Sequence, residues 1–269
     1  MSVILATYNG ASTIDMAIDS IVKQSFTDWE LIVCDDGSTD GTYPKLLEWQ
    51  EKDNRIRVVR NGQNLGIAAA SNHCLRYVAG QYIAKMDDDD VSDPRRFALQ
   101  VLFLDSHQSI AFCGTGYHLY DGTTMQATPQ LIPYPQKKDF LWNQPFLHPS
   151  CMFRRNAIDA VNGYRTAKET ARAEDYDMLM RMYALGLKGC NLPEPCYCYR
   201  VTLADMKKKR RYRFRVDECV VRWKGFSKLG ILFPVGWIFV LKPLFVGLLP
   251  HRMLYRIHRK DICDTKDLP

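Results

Sequence analysis

Gly80-Gln-Tyr-Ile-Ala-Lys-Met-Asp-Asp-Asp-Asp90 runs a short apolar segment directly into four consecutive carboxylates. Residues 82–86 read as a strand, and the four acids lie at its carboxyl end. Side chains two apart on a strand share a side, so Asp87 and Asp89 are expected to face together. Close carboxylates raise each other's pKa unless a cation sits between them. A hard divalent ion held by one or two carboxylates plus substrate phosphates is the usual relief. The competing reading is a solvated acidic turn capping the helix that Pro94 opens.

The same pattern of strand, polar turn and helix precedes this stretch three times. Residues 2–6 form a continuous apolar run, as in a strand buried on both faces. Thr7-Tyr8-Asn9-Gly10 turns the chain, and Ile14, Ala17, Ile18, Ile21 and Val22 follow at helical spacing. Residues 29–34 are a second strand, ending in Asp35-Asp36-Gly37-Ser38 and a helix to about Gln50. Residues 56–59 are a third, followed by Asn61-Gly62-Gln63-Asn64-Leu65-Gly66 and an Ala-rich helix.

Four such units in the first 108 residues imply a doubly wound, mainly parallel sheet with helices on both faces. Ligands of such sheets bind beyond the carboxyl ends of the strands. Thr7-Tyr8, Asp35-Asp36, Asn64-Gly66 and Asp87 to Asp90 all stand at such ends, so they converge on one crevice. An Asp there can accept hydrogen bonds from a nucleobase or a ribose hydroxyl. Neither GxGxxG nor GxxxxGK[ST] occurs, which argues against dinucleotide oxidoreductases and P-loop NTPases.

Later residues read less clearly. Residues 113–120 and 148–154 are candidate strands, and residues 174–185 a helix with Met178, Leu179, Met182 and Leu185 on one side. Glu174-Asp175 opens that helix, where acids are favoured by the dipole. A carboxylate there can equally serve as a general base for an acceptor hydroxyl.

These segments together resemble family-2 glycosyltransferases with the GT-A fold. The resemblance rests on Ser2-Val-Ile-Leu-Ala-Thr-Tyr-Asn9, Asp35-Asp-Gly-Ser-Thr-Asp-Gly-Thr42, Asn64-Leu-Gly66, the 80–90 stretch and Glu174-Asp175, in that order. It implies inverting transfer from a nucleotide-diphospho-sugar, with UDP the expected nucleotide, to a saccharide or lipid-linked acceptor. It assigns Thr7, Tyr8, Asp36, Asn64 and Gly66 to the nucleoside, with Asp35 as a helper and Asp87 and Asp88 on the nucleotide side. Asp87 and Asp89 match the DxD carboxylates that hold Mn²⁺ or Mg²⁺ on the diphosphate. Asp175 matches the base, and Glu174 would orient the site or the acceptor.

His148 lies in a segment resembling the acceptor-side strand of that family. Arg200 follows Tyr199 in a motif that often continues to a His, here Thr202; Arg200 would compensate by pairing with phosphate. Cys219-Val-Val-Arg222-Trp223 partly echoes the QxxRW motif of processive synthases, with the Gln missing. The alternatives kept open are a sugar nucleotidyltransferase and a non-catalytic sugar- or lipid-binding module.

Composition sets the remaining bounds. The chain has 269 residues, 46% hydrophobic and 25% charged, which excludes a disordered chain. Sixteen Gly and 13 Pro show no period, and no repeat is visible. The net charge of +6 is uneven: residues 207–260 carry 15 Lys/Arg against Asp217 and Glu218. Nine Cys without a CxxC, and an N-terminus unlike a signal peptide, point to free thiols in a reducing cytosol.

Residues 229–250 carry one charge, Lys242, but Pro234 and Pro243 interrupt them. An uninterrupted apolar run of 231–241 suits an interfacial segment better than a span. Flanked by Lys207-Lys-Lys-Arg-Arg211 and by Arg252, Arg256 and Arg259, it suits an anionic membrane surface. A buried helical hairpin and a homodimer interface are the competing readings; nothing points to nucleic acid. The expected organisation is a transferase domain over 1–205, with a nucleotide-binding half (1–108) and an acceptor-side half (109–205). A C-terminal basic and apolar region over 206–269 would place the protein on the cytoplasmic face of a membrane.

Overall fold

The computed structural model describes residues 1–120, 125–201 and 212–248. Thr202, the 207–211 cluster and the arginines at 252, 256 and 259 lie outside the described residues, as does the expected boundary at 205/206.

The first half alternates as the sequence dictates. β1 (Ser2–Thr7) leads to α1 (Ile14–Val22), β2 (Glu30–Asp35) to α2 (Thr42–Lys52), and β3 (Ile56–Arg60) to α3 (Ile67–Leu75). β4 (Tyr82–Asp87), the two-residue β5 (Val91–Ser92) and α4 (Arg96–Ser106) complete it. β1 is buried at every position, which is why its side chains are apolar on both faces. Alternate residues feed two separate apolar layers. Val3 and Leu5 pack with α1 and α4, through Ile14, Ile18 and Phe97. Ile4 and Ala6 pack with α3, through Ala70 and Cys74.

β3, β2, β1 and β4 are neighbours in that order and all parallel. The sheet continues through β8 (Met152–Arg154), β6 (Phe112–Tyr120) and β9 (Gly189–Arg200) to β5, with β7 (Met125–Ala127) paired on β6. Here the pairing is mixed: β8 is antiparallel to β4 and β6, while β6 and β9 run parallel. The architecture is the α/β arrangement of a GT-A fold.

The expected strand over 148–154 is shorter than its apolar pattern. His148–Ser150 forms a 3-10 turn with Pro149 near its start, and pairing begins only at Met152. Proline fixes φ and carries no N–H, so it suits the turn and not a ladder position. The strand β9 has no clean sequence signature, because Pro193 and Pro195 interrupt it at a register shift against Gly116.

The remaining helices are α5 (Arg155–Ala160), α6 (Glu174–Ala184), α7 (Tyr212–Leu229) and α8 (Trp237–Leu248). The helix pair α7–α8 contributes Val221, Phe226, Leu229 and Val240 to the same apolar cluster that holds Ala70 and Met178. Arg222, only 2% exposed, donates to the carbonyls of Leu141 (3.0 Å) and Trp142 (3.4 Å) and to Glu218 (3.0 Å). No helix among the described residues is long and apolar enough to cross a membrane.

Candidate active site

The parallel strands β1, β2 and β4 deliver their last residues to one crevice. Two loops are laced together above it. Asn9 N–H donates to Ser38 Oγ (2.9 Å), and Thr39 N–H donates to Asn9 Oδ1 (2.9 Å). Gly37 at the tip has φ +74°, and a Cβ there would lie 2.7 Å from the backbone of Gln63. Only glycine meets both demands without strain.

Adjacent Asp35 and Asp36 have different fates. Asp35 is fully buried; it pairs with Arg60 at 2.9 Å and accepts Ser38 N–H. Asp36 accepts three groups from the chain that follows β3: Asn61 Nδ2 (2.7 Å), Leu65 N–H (3.0 Å) and Gly66 N–H (2.8 Å). Asn61 in turn meets His73 Nδ1 at 2.8 Å. Asp36 therefore shapes the Asn64–Gly66 corner as well as facing the crevice.

The acidic stretch departs from the strand geometry expected of it. β4 ends at Asp87, and Asp88 and Asp89 form a turn, so alternation no longer sets their directions. Asp88 turns inward and accepts the Thr7 hydroxyl. It is Asp88, not Asp89, that joins Asp87 in lining the cleft. Burial, with Asp89 and Asp87 adding to it against the Thr7 hydrogen bond, pushes the Asp88 carboxyl up to about 7. Asp90 is buried and structural, accepting Tyr197 OH (2.8 Å) and Arg200 N–H (2.7 Å). The Arg200 guanidinium lies 3.9 Å from Asp89.

Two cavities meet over these groups. One, of about 750 Å³, is lined by Thr7, Tyr8, Asp36, Asn64, Gly66 and Asp88. The other, of about 990 Å³, is lined by Lys85, His148, Tyr164 and Tyr199 and reaches Trp142 and Phe239. Asp87, Glu174 and Asp175 line both. Of the sequence candidates, only Asp35, Asp89 and Arg200 are absent from both linings.

Asp175 sits in the first turn of α6, and its Oδ1 accepts Tyr176 N–H at 2.7 Å. Glu174 beside it has an Oε2 buried without a hydrogen-bond partner among the described residues. Burial, reinforced by Asp175, pushes the Glu174 carboxyl up to about 8. With its carboxyl raised that far by burial, Glu174 is neutral at neutral pH. His148 is held down to about 4 by burial, and its Nε2 lies 3.1 Å from Tyr164 OH. It is a neutral hydrogen-bonding group in the cavity wall.

Sequence reasoning missed three cations. Lys85 is buried within β4 and donates to Met86 O (2.8 Å) and to Asp87 Oδ1 (2.7 Å). Arg172 and Arg215 line both cavities where they join. Arg172 stands two residues before Glu174, which was a usable signal. Arg215 arrives from α7, and its place depends on how that helix docks.

The donor set at the β4 end is all hard oxygen, which suits Mg²⁺ or Mn²⁺. Among the described residues no three His, Cys, Asp or Glu side chains are grouped to hold a metal unaided. Asp87 and Asp89 therefore fit an ion only as partial ligands that substrate phosphates complete.

Comparison with known proteins bears on this geometry. The model of the family described as glycosyl transferase family 2 matches residues 2–161. EpsE of Bacillus subtilis, named as a glycosyltransferase, is 34% identical over 269 residues, covering 99% of this chain and 96% of that protein. The Escherichia coli protein UDP-Glc:alpha-D-GlcNAc-diphosphoundecaprenol beta-1,3-glucosyltransferase WfgD is 34% identical over 137 residues, 50% of this chain and 53% of that one. The crystal structure of Staphylococcus aureus TarS 1–349 in complex with UDP-GlcNAc superposes with a TM-score of 0.70 at 18% identity. That match covers 97% of this chain and 88% of that one.

Proposed function

The chain belongs to glycosyl transferase family 2 and is a glycosyltransferase of the polysaccharide-biosynthesis type, and from that premise we propose how its cleft performs the transfer. The reaction is an inverting one, from a UDP-sugar in the smaller cavity to a hydroxyl in the larger. The observation that supports this reading is that Asp87, at the end of β4, and Asp175, at the start of α6, each line both cavities. A donor diphosphate over Asp87 and an acceptor hydroxyl at Asp175 then flank a single anomeric carbon.

Each residue takes a part set by its position. Thr7, Tyr8, Asp36, Asn64 and Gly66 hold the nucleoside, and Asp35 stiffens the loop under it through Arg60. Asp87 and Asp88 face the ribose and diphosphate. Asp87, and Asp89 from outside the cavity linings, would hold Mn²⁺ or Mg²⁺, which would neutralise charge on the departing diphosphate. Arg172 and Arg215 meet the phosphates from above, with Arg200 steadying Asp89. The acceptor hydroxyl gives its proton to Asp175 as its oxygen bonds to the anomeric carbon. The bond from that carbon to the diphosphate oxygen breaks, and the nucleoside diphosphate leaves with the electron pair. Neutral Glu174 and the His148–Tyr164 pair orient the acceptor.

Residues 1–108 supply Thr7, Tyr8, Asp36, Asn64, Gly66 and Asp88 to the donor cavity, residues 109–205 supply His148, Tyr164 and Tyr199 to the acceptor cavity, and both halves contribute to the shared lining through Asp87, Arg172, Glu174 and Asp175. The acceptor class is a lipid-linked saccharide on the cytoplasmic face of a membrane. WfgD, by its name, uses UDP-Glc and a diphosphoundecaprenol-linked sugar, and this supports both the donor and the acceptor assignments. A thermal-shift series with UDP, GDP, dTDP and CMP, each with and without Mn²⁺, tests the donor site. A ligand at about 100 times its Kd stabilises by roughly 2.7 kcal/mol. The expected outcome is a metal-enhanced shift with UDP. No shift with any nucleotide would remove the donor assignment.

A further inference from the structure

Among the described residues, the helix pair leaves a large apolar surface uncovered. Ile238, Leu241 and Phe245, spaced i, i+3 and i+7 on α8, share one helix face, and all three are exposed. Phe233, Val235 and Trp237 extend this surface through the turn before α8, with Phe233 70% exposed. The opposite face is spent on the core, through Val240. Scattered surface apolar groups are ordinary, but six clustered on one turn and helix are a contact surface.

Two further observations identify what it contacts. First, the described part of this region, 212–248, carries six Lys/Arg against two acids. On α7, Lys228 is exposed, and Lys224 is exposed while pairing with Glu169 at 2.8 Å. Basic charge flanking an apolar helix face is the pattern of an interfacial helix on anionic lipid, whereas the cores of protein interfaces are depleted in charge. No helix among the described residues is long and apolar enough to cross a membrane, and the exposed face of α8 suits one lying in the interface.

Second, the apolar surface is continuous with the acceptor cavity. Phe239, between Ile238 and Val240 on α8, lines that cavity and meets Trp142 edge-on at 6.3 Å between ring centroids. Lys242 lies over the Trp142 ring, 3.7 Å from its centre, and donates to the Trp142 carbonyl. Arg222 fixes the same segment to α7 through Leu141 and Trp142. The exposed face and the cavity mouth are thus parts of one braced unit.

We propose that Phe233, Val235, Trp237, Ile238, Leu241 and Phe245 seat on an anionic lipid surface, so that the acceptor cavity opens onto the headgroup layer at the Phe239–Trp142 wall. An amphiphilic acceptor then reaches Asp175 from the membrane side while the donor enters from the aqueous side. This deepens the functional reading above and rests on its assignment of the acceptor cavity.

The test is co-sedimentation of the full chain with vesicles of phosphatidylglycerol and phosphatidylcholine, compared with phosphatidylcholine alone. The double variant Ile238→Asp/Phe245→Asp places charge on the exposed face, away from the core. The expected result is at least tenfold weaker partition into the anionic vesicles, with the UDP-induced thermal shift unchanged. Partition equal to wild type overturns the proposal. So does a fall from dimer to monomer by light scattering without a change in partition, because the face would then be an interface between copies. A wild-type chain that binds vesicles but shows no nucleotide shift would leave the docking intact and remove the functional reading instead.

Discussion

In the strand-end crevice, functional side chains stand where parallel strands stop, and hydrogen bonds between the adjoining loops hold them there. Asp36 grips Leu65 and Gly66 directly, and Asp88 is gripped by Thr7. In the C-terminal helix pair nothing is placed by a sheet. Arg222 spans 81 positions in sequence to hold the Leu141 carbonyl, and Lys242 spans 100 to hold that of Trp142. The first region is ordered by topology and would keep its arrangement if several of its hydrogen bonds were broken. The second has no sheet beneath it, so its apolar cluster and a few side-chain ties carry its placement. The comparison teaches that the donor side is the built-in part of the site and the acceptor side the assembled part.

The largest effect tests whether the two regions meet at Asp175. Asp175→Asn should lower kcat by about 10²–10⁴-fold, the usual range for general-base help. UDP affinity, read by thermal shift or calorimetry, should change little. Wild-type turnover would break the assignment, and lost UDP binding would move Asp175 to the donor side.

Next comes the tie that assembles the second region. Arg222→Met removes a buried guanidinium and leaves two carbonyls and Glu218 without it. Breaking a buried pair costs about 3 kcal/mol or more, so the urea midpoint should fall clearly. A loss under about 0.5 kcal/mol, the range of ordinary surface changes, would mean that the helix pair is held mainly by its apolar cluster.

A smaller effect is expected at the seam. Arg172→Ala should lower kcat/KM for the donor about tenfold, since hydrogen bonds to charged groups contribute about 1.5–3 kcal/mol. Arg172→Lys should restore part of it. An unchanged KM and kcat would leave the diphosphate to the β4 end alone.

The smallest effect is on pH dependence. Glu174 is raised to about 8 in the folded chain from an ordinary value near 4.5. Between those values the folded state keeps a proton that the unfolded state releases, so stability falls as pH rises. Glu174→Gln should flatten that slope between pH 5 and 7.5, measured by urea unfolding, by up to about 1 kcal/mol per pH unit. An identical slope in the variant would mean that Glu174 is ionised when folded.

Much of the donor half is legible in the sequence, for a physical reason. Strands buried on both faces must be apolar throughout, so β1, β2 and β4 announce themselves, and the polar residues following each must lie at one edge of the sheet. The acceptor half hides its signals. Pro193 and Pro195 mask β9, and Pro149 shortens β8. The Arg222-Trp223 pair looks like part of a substrate-binding motif. Yet Arg222 is buried against backbone carbonyls, while Trp223 is half exposed.

The linear order of residues determined the four parallel strands, the crevice at their ends and the acids gathered there, because hydrophobic periodicity and strand polarity are local properties. Only the tertiary structure decided which acids face the cleft. Asp88 turns inward in place of Asp89 because the strand ends at Asp87, two residues before alternation could set the direction of Asp89. Only the tertiary structure, too, brought Arg172 and Arg215 to the seam and set an apolar helix face against the acceptor cavity. Those placements depend on docking between segments distant in sequence, which no local pattern encodes.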